Sequence, residues 1–426
     1  MRVVVVGGGF GGLASAVRLA KLGHAVTLVE RSATLGGALS TVTEDGFSWD
    51  AGPTYTLLPA VVRDLFRKSG RPVERELDLV PLDVLREHRF EDGSSVRVPS
   101  GRAPQVAAFD ELGAGLGQRW VDHVASYADD WDVLRRDYLE NPWDPDALPQ
   151  ELASRLGSRE TLHKRLRRTF RDERLRLVAG HPLVAEGHDL RNVPSWLGVT
   201  AYVEQRFGAW TVEGGLARIG DALVARLATR GVATMTGTEV RDLVVRSGRV
   251  VAVRTTTGEV EADAVVCAID PRRLPALAPY VERTMPAIPP VVVHVGLAED
   301  LPDLPHEVVL HGDPMLVLRR NGPRTLTVHG RGRLAEDVLR ALARHRIDLR
   351  AHVVARVDRS PRDQVEQWGS SPYGVLWQGR ATVRQRLGPR TPVTGVYAAG
   401  AHATPGCGLP FVGLSAALVA AEIGPA

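Results

Sequence analysis

The first thirty residues read as a strand, a glycine-rich turn, a helix and a second strand. Four consecutive valines at residues 3–6 lead directly into a G-x-G-x-x-G pattern, and residues 13–22 form a predicted helix of small side chains. The glycines of the pattern are Gly7, Gly9 and Gly12. Because a continuous β-branched run is typical of a parallel strand buried on both faces, this order predicts a parallel α/β sheet whose first turn binds a dinucleotide.

Each glycine of the pattern has its own physical purpose. Gly7 permits a tight turn, Gly9 lets the backbone approach a diphosphate without a Cβ, and Gly12 lets the helix pack closely on the sheet. The helix N-terminus then directs free N–H groups and the positive end of its dipole at the phosphates. Glu30, after a strand at residues 25–29, is placed to accept hydrogen bonds from an adenosine ribose.

Composition excludes several other classes of protein. The 426 residues are 44% hydrophobic and 24% charged, which suits a globular chain of two or three domains. A net charge of +3 does not indicate a protein that binds nucleic acid. Cys267 and Cys407 lack C-x-x-C spacing, so we expect neither a disulfide framework nor a zinc site, and a cytoplasmic, reducing compartment fits.

Two apolar stretches could be taken for a signal peptide and a transmembrane helix. The sequence argues against both. Glycines interrupt the valine run at the start of the chain and no cleavage-like region follows, which argues against a signal peptide. Residues 395–426 are nearly uncharged, but Pro405, Pro410 and several glycines leave no unbroken span of about 20 apolar residues. We therefore predict no transmembrane helix.

Sheet signals occur in three separated parts of the chain. Beyond the first unit, a hairpin turn is predicted at residues 246–249, and the last thirty residues read as strand, glycine turn and helix. Further strands are predicted at residues 231–235, 240–245, 250–255 and 264–268.

The segments between these sheet signals have a different character. Residues 57–207 read as helical and charged, whereas residues 275–373 alternate strands with one helix. We therefore expect an α/β nucleotide domain assembled from discontinuous segments and a mixed α+β substrate domain. The expected ranges are 1–57, 206–275 and 374–426 for the first domain, and 58–205 and 276–373 for the second.

Motifs along most of the chain resemble the phytoene desaturase family of carotenoid-type flavoenzymes, within the wider amine-oxidase-like superfamily. After the first fingerprint come a glycine doublet, D-A-G-P-T, E-G-G-L, A-D-A-V-V and a terminal P-G-C-G-L-P. These motifs lie at residues 36–37, 50–54, 213–216, 262–266 and 405–410.

The resemblance implies a glutathione-reductase-like, Rossmann-type domain that binds FAD in an extended pose. The adenine end would lie near residues 7–30, the flavin ring under the carboxy-terminal glycine segment, and Val240 would offer backbone groups to the adenine. The residues expected to contact FAD are Gly7, Gly9, Phe10, Gly11, Gly12, Glu30, Arg31, Gly36, Gly37, Ala38, Gly52, Pro53, Thr54, Val240, Gly400, Ala401, Pro410, Phe411 and Val412.

The chain departs from the family pattern in two places. Many relatives have an arginine after the glycine doublet, against the diphosphate, where this chain has Ala38. Because one charged hydrogen bond is worth roughly 1.5–3 kcal/mol, its loss should weaken FAD binding without abolishing it. The terminal histidine, His402, lies two places earlier than in the family, and the shorter chain predicts a smaller substrate domain.

Flavin chemistry requires no separate nucleophile or metal, and the sequence shows no triad or metal-ligand spacing. His402 is the candidate catalytic residue, because the resemblance places it beside the flavin. The alternative is that its ring fills space or bonds a backbone carbonyl. Phe411 either packs on the ring edge or begins the last helix, and Asp50 is expected to order its own turn.

Two further segments could each have a binding function or a purely structural one. Residues 330–335 imitate a G-x-G-x-x-A turn for NADPH, but their arginines crowd it, which favours an ordinary strand and helix. Residues 155–176 are basic, with Leu162, Leu166 and Phe170 at helical spacing. This stretch is either a helix that docks on anionic lipid or a solvated helix with its apolar face on the core, and the second reading is favoured.

The sequence therefore predicts an FAD-dependent oxidoreductase that dehydrogenates or isomerises an apolar polyene or isoprenoid-like substrate. Oxygen or a quinone would accept the electrons, and the protein would be cytoplasmic, with peripheral contact on the inner face of the membrane left open. Two alternatives also stay open: a flavin oxidase of an amine or alcohol, with polar anchors in its pocket, and a non-catalytic FAD-binding partner protein. The sequence does not predict the oligomeric state.

Overall fold

The computed structural model describes residues 1–142, 144 and 146–426. The strands are β1 (Arg2–Val6), β2 (Ala25–Val29), β3 (Thr41–Glu44), β4 (Phe47–Asp50), β5 (Thr56–Leu57), β6 (Leu79–Leu82), β7 (Val84–Arg89), β8 (Ser95–Pro99), β9 (Ala209–Val212), β10 (Ala233–Met235), β11 (Val240–Arg246), β12 (Arg249–Thr255), β13 (Gly258–Glu261), β14 (Ala264–Cys267), β15 (Val291–Leu297), β16 (Glu307–Leu310), β17 (Met315–Gly322), β18 (Thr325–Arg331), β19 (Val353–Arg359) and β20 (Val396–Ala398).

The helices connect these strands and form a separate layer between β8 and β9. They are α1 (Phe10–Lys21), α2 (Pro59–Ser69), α3 (Arg102–Asp110), α4 (Leu116–Ala125), α5 (Ala128–Leu134), α6 (Gln150–Leu156), α7 (Leu162–Thr169), α8 (Glu173–Ala185), α9 (Val199–Phe207), α10 (Ala217–Thr229), α11 (Val338–Arg344), α12 (Pro361–Trp368), α13 (Thr382–Gln385) and α14 (Leu409–Ile423). Within the described residues, no helix combines the length and apolar character needed to cross a bilayer.

A five-stranded parallel sheet carries the dinucleotide-binding unit. Its strand order is β10-β2-β1-β14-β20, and each neighbouring pair is parallel. The four valines of β1 are each at most 2% exposed, because α1, α10 and α14 cover one face of the sheet and the strands β11 and β12 cover the other. Helix α1 packs against α10 and α14, so the first and last helices of the chain share one core. The predicted α/β, Rossmann-type fold class is confirmed.

A seven-stranded sheet of order β19-β15-β18-β17-β16-β7-β8 forms the second layer. Its neighbours are antiparallel except for the pair β16 and β7. The sequence analysis was wrong to read residues 57–207 as helical throughout, because β6, β7 and β8 lie there. The strand β7 reads V-L-R-E-H-R, and its polar residues face buried partners where a strand usually shows an apolar side.

The two sheets draw their strands from the expected sets of segments, while one helix crosses the expected boundary. All strands of the parallel sheet come from residues 1–57, 206–275 and 374–426, and all strands of the seven-stranded sheet come from the remainder. Helix α2 begins at Pro59, yet its Val62, Leu65 and Phe66 are buried in the core of the parallel sheet. The boundary expected after residue 57 is therefore too early for this helix.

The basic stretch at residues 155–176 packs its apolar side chains inward. Leu162, Leu166 and Phe170 are each at most 2% exposed, within the core of the helical layer. The stretch is the end of α6, the whole of α7 and the start of α8, where the sequence suggested a single helix. Arg155 and Arg165 both pair with Asp130. The packing agrees with the favoured, core-facing interpretation.

The NADPH-like turn at residues 330–335 follows an antiparallel strand, whereas a nucleotide-binding turn follows a parallel one. Strand β18 lies between β15 and β17 and is antiparallel to both, so it starts no parallel nucleotide-binding unit. The helix that follows begins at Val338, and the Asp337 carboxylate accepts a hydrogen bond from the Leu339 N–H. Because a carboxylate at a helix N-terminus repels phosphate, the structure supports the ordinary strand and helix.

Asp50 connects two distant parts of the parallel-sheet domain. Its carboxylate accepts hydrogen bonds from the backbone N–H groups of Leu216 at 3.0 Å and Ala217 at 2.8 Å, at the start of α10. Burial raises the pKa of Asp50, against the effect of these two bonds. The expectation that Asp50 orders its own turn was wrong, because folding brings the N-terminus of α10 to the end of β4.

We expect Asp50→Ala to lower the free energy of unfolding by about 2 kcal/mol, because two helix N–H groups then lose a buried, charged acceptor. Denaturant unfolding of the flavin-free protein measures this loss. The matched control is Asp303→Ala, since the Asp303 side chain is 93% exposed. Equal unfolding midpoints for the two variants would contradict the capping role.

Candidate functional site

A cavity of about 610 Å³ brings together three segments that are far apart in the sequence. One wall is the turn between β1 and α1, another is the segment between β20 and α14, and a third is the region from Gly37 to Pro53. The predicted site residues that line it are Gly7, Gly9, Phe10, Gly11, Glu30, Gly37, Ala38, Gly52, Pro53, Gly400, Ala401, His402, Pro410, Phe411 and Val412.

The β1–α1 turn has the shape and the free donors that a diphosphate needs. A Cβ added at Gly9 would meet no atom within 4 Å, so the space above this residue is open. Helix α1 begins without a side-chain cap and has no acidic residue in its first turn, which leaves its N–H groups free. Gly7 has a φ of +105°, as its predicted role in the tight turn requires.

Glu30 stands beside this turn at the end of β2. Its two carboxylate oxygens accept hydrogen bonds from the backbone N–H groups of Gly8 at 2.6 Å and Ser32 at 2.8 Å. These bonds fix the carboxylate at the cavity wall, and its contact with a ribose stays a prediction. The open turn, the uncapped helix and the oriented carboxylate together fit an adenine dinucleotide.

Two glycines allow close contacts that no other residue permits. A Cβ at Gly12 would lie 1.8 Å from the carbonyl oxygen of Gly7, which is the predicted close packing of helix on strand. A Cβ at Gly11 would lie 2.8 Å from the Cα of Gly400, so Gly11 lets the carboxy-terminal segment rest on the first helix. Sequence reasoning named Gly11 as a cofactor contact without finding this second role.

Five of the predicted contacts lie outside the lining of the main cavity. Gly12 packs behind the turn, and Gly36 has a φ of +114° and bridges to Gly9. Thr54 is buried, and its hydroxyl lies 3.0 Å from Nε2 of His306. These three residues therefore shape the site from behind.

Arg31 and Val240 are the other two predicted FAD contacts that lie outside the lining of the main cavity. The guanidinium of Arg31 donates to the backbone carbonyls of Glu366 and Gln367, and it borders a separate cleft. Val240 is the first residue of β11, pairs with Thr255 and is 7% exposed. Neither residue is among those that line the main cavity, and their contacts with the adenine end of FAD stay predictions.

The carboxy-terminal segment forms the opposite wall of the cavity. Gly400 and Gly408 have φ values of +96° and +93°, and the N–H of Gly400 donates to the Ser415 hydroxyl at 3.1 Å. Helix α14 begins at Leu409, so Phe411 lies in its first turn and also lines the cavity. The helical interpretation of Phe411 is therefore confirmed, and its contact with the edge of the flavin ring stays a prediction.

His402 lines the cavity, but protein groups occupy both of its ring nitrogens. Nε2 donates to the carbonyl of Ser371 at 3.1 Å, while Nδ1 lies 3.4 Å from the Arg272 guanidinium and 3.8 Å from the Asp270 carboxylate. Burial lowers the pKa of His402, which keeps the ring neutral. The geometry thus favours the alternative interpretation, a histidine that bonds a backbone carbonyl, over a proton-transfer role.

A thiol, a carboxylate and an imidazole meet near this wall, and sequence reasoning missed them. Sγ of Cys407 donates to Oε2 of Glu186 at 3.5 Å, and Nε2 of His188 lies 3.5 Å from the same oxygen. Burial raises the pKa of Cys407 well above its usual range, so the thiol keeps its proton. Glu186 follows α8 and carries no motif, so only the contact with Cys407 reveals it.

Beyond the carboxy-terminal segment the cavity has one strongly polar wall. Arg86 and Arg319 each donate from Nε to Glu307 at 2.9 Å, and Glu307 is fully buried. Glu204 lies 3.0 Å from Arg86, whose guanidinium also donates to the Tyr55 hydroxyl. Although burial alone would raise it, the two arginines hold the pKa of Glu307 well below its usual range.

The facing wall is apolar and belongs to the helical layer. Its side chains come from α5, the π-helical turn that follows it, the segment before α9, the first residue of α9, and the loop near residue 377. The residues are Trp131, Leu134, Leu139, Trp196, Leu197, Val199 and Trp377. The chamber is therefore two-faced, with buried charges on one side and aromatic and aliphatic groups on the other.

Comparison with models of known protein families shows which family this chain matches. The model of the flavin containing amine oxidoreductases matches residues 10–424. The chain belongs to the flavin-containing amine oxidoreductase family. It is an FAD-dependent oxidoreductase, and the residues at the β1–α1 turn fit that cofactor.

Curated relatives confirm the resemblance to the phytoene desaturase family. The chain is 25% identical to a 4,4'-diapolycopene oxygenase of Methylomonas sp., over 99% of this chain and 98% of that protein. It is 33% identical to a zeta-carotene-forming phytoene desaturase of Myxococcus xanthus, over 63% of this chain and 53% of that protein. The second alignment therefore spans about half of the relative's length.

Solved structures share the fold. A putrescine oxidase variant superposes with a TM-score of 0.71 at 16% identity, over 99% of both chains. Cyclohexylamine oxidase from Brevibacterium oxydans superposes with a TM-score of 0.68 at 18% identity, again over 99% of both chains. At such identities the likeness concerns the fold alone.

We expect Gly9→Val to give a folded protein without flavin, because the added side chain enters open space that the diphosphate requires. Absorbance near the flavin bands and circular dichroism of the purified protein measure the two properties. Gly12→Val is the contrasting variant, since its Cβ meets the Gly7 carbonyl at 1.8 Å and the fold itself should fail. A yellow Gly9→Val protein would contradict the assignment of the turn.

Proposed function

We propose that the protein dehydrogenates an apolar polyene or isoprenoid-like compound. The apolar wall of the chamber carries this proposal, because three tryptophans and four aliphatic residues face a space that adjoins the carboxy-terminal segment. A long hydrocarbon gains roughly 25 cal/mol for each Å² of apolar surface that such a wall removes from water. Two relatives, a 4,4'-diapolycopene oxygenase and a phytoene desaturase, have names that agree with this substrate class.

The cofactor contacts are also proposals. The N–H groups of α1 would hold the diphosphate, Glu30 the ribose, and the segment from Gly400 to Val412 the flavin ring. Bound FAD supplies a hydride acceptor at flavin N5. Oxygen or a quinone would reoxidise it, and the cytoplasm is the expected compartment.

Dehydrogenation of a carbon–carbon bond also releases a proton, and we propose Glu186 as its acceptor. Its carboxylate lines the cavity and is oriented by the Cys407 thiol and the His188 ring. The backbone N–H of Trp377 donates to Nδ1 of His188 at 3.3 Å, which fixes the imidazole. His402 lacks a free nitrogen for this step, so we assign it to holding the loop at Ser371.

The reaction class is tested by mixing the FAD-loaded protein anaerobically with single compounds and recording flavin absorbance. We expect polyenes to bleach the flavin and amines and simple alcohols to leave it oxidised, because one side of the chamber is lined by aromatic and aliphatic side chains. Bleaching by amines or alcohols but not by polyenes would establish the alternative function, a flavin oxidase of an amine or alcohol. Bleaching by none of these compounds would favour a non-catalytic FAD-binding protein.

Glu186→Gln should slow polyene-dependent bleaching by about a hundredfold, because a positioned base typically contributes 10²- to 10⁴-fold. Stopped-flow absorbance measures the rate, and the spectrum of the oxidised flavin should stay unchanged. Glu282→Gln, an exposed site outside the cavity lining, is the matched control. A wild-type rate in Glu186→Gln would assign the proton to another acceptor.

A further inference from the structure

The polar wall contains nitrogen donors that point into the chamber without a protein partner. Arg319 on β17 and His329 on β18 both line the cavity, and they lie on one face of the seven-stranded sheet, diagonally across the pair. Within the described part of the chain, no hydrogen bond reaches the ring nitrogens of His329, and Arg319 donates only from Nε. The remaining nitrogens of Arg319 and His329 lack a partner among the described residues but are not fully enclosed by protein atoms. They therefore open onto the cavity.

Tyr373 adds a hydroxyl to the same wall. Its side chain lines the cavity, and its ring lies under the Arg331 guanidinium at 5.4 Å. No described residue hydrogen-bonds to the phenol oxygen. Burial raises the pKa of Tyr373, so the hydroxyl keeps its proton. Three neutral or cationic hydrogen-bonding groups therefore face one part of the chamber.

Four charged side chains behind this wall pair with one another. Arg86 and Arg319 oppose Glu204 and Glu307, all held in ion pairs of 3.0 Å or less. Burial and the neighbouring Arg319 lower the pKa of His329 well below its usual range, so the ring is neutral and has one donor and one acceptor. Because Arg319 is already paired with Glu307 and the His329 ring is neutral, a neutral hydrogen-bonding group can pair with these two residues.

A pure hydrocarbon is a poor match for such a wall. It would strip water from the nitrogens of Arg319 and His329 and from the phenol of Tyr373 and give no hydrogen bond in return. A hydroxyl or carbonyl oxygen would restore at least one of these bonds, while the facing tryptophans cover the carbon chain. Hydrogen-bonding groups on one side of the chamber and aromatic side chains on the other therefore match an oxygenated polyene better than its parent hydrocarbon.

We propose that Arg319, His329 and Tyr373 bind the oxygen of a hydroxyl or carbonyl group, so that the substrate is a polyene with a neutral oxygen function. This assignment rests on the proposed function and narrows its substrate class. It makes these three residues specificity determinants for the oxygenated end of the substrate.

The test compares a polyene hydrocarbon with its hydroxylated form of equal chain length and equal number of double bonds. Quenching of tryptophan fluorescence in the FAD-loaded protein measures both dissociation constants. Wild type should bind the hydroxylated compound about tenfold more tightly, the value of one hydrogen bond. His329→Leu should reduce this ratio to about twofold or less, and Tyr373→Phe, which removes one oxygen, should reduce it by a smaller factor.

The control is His352→Leu, a histidine whose side chain is 44% exposed and lies outside the cavity lining, and its ratio should equal that of wild type. Equal binding of the two polyenes by wild type, with flavin bleaching retained, would overturn this inference and leave the proposed function intact. Binding and bleaching by neither polyene would overturn the proposed function itself. If His329→Leu yields no flavin-loaded protein, an unaltered ratio in Tyr373→Phe overturns the assignment.

Discussion

Backbone-to-backbone contact at glycines is the constraint on which the site depends. Gly12 touches the Gly7 carbonyl, Gly11 touches Gly400, and a Cβ at Gly52 would lie 2.5 Å from the Ala38 carbonyl oxygen. These contacts bring the first turn, the following loop and the carboxy-terminal segment to the walls of one cavity. Any side chain at these positions would push the walls apart, so the cavity exists because side chains are absent there.

The substrate chamber depends on a second feature, a set of charges that folding buries and pairs. Arg86, Glu307 and Arg319 lie on three neighbouring strands, and the central carboxylate accepts from both arginines. Burying such charges costs several kcal/mol for each ion unless their partners are well placed. A wall of this kind is therefore weak evidence for stability. It is better explained by what it presents to the chamber, namely the nitrogens of Arg319 and His329 that open onto the cavity.

The sequence predicted the cofactor end far better than the substrate end. The glycines, Glu30 and the β1–α1 unit could be read because their roles depend on local backbone geometry and on residues within one supersecondary unit. Strand β7 could not be read, because its charged residues are buried only after β16 pairs with it and brings β17 to the far side of β16. Asp50 and Glu186 were misread or missed for the same reason, since their partners lie far away in the chain.

By itself, then, the sequence determined the parallel-sheet nucleotide domain and the dinucleotide turn, because β-branched runs and glycine spacing act over a few residues. Tertiary structure decided which polar groups face the chamber, that both nitrogens of His402 are engaged, and that Asp50 caps a helix 166 residues away. Hydrogen bonds and ion pairs of this kind join segments whose separation along the chain carries no periodic signal. Only packing of the two sheets and the helical layer brings them within bonding distance.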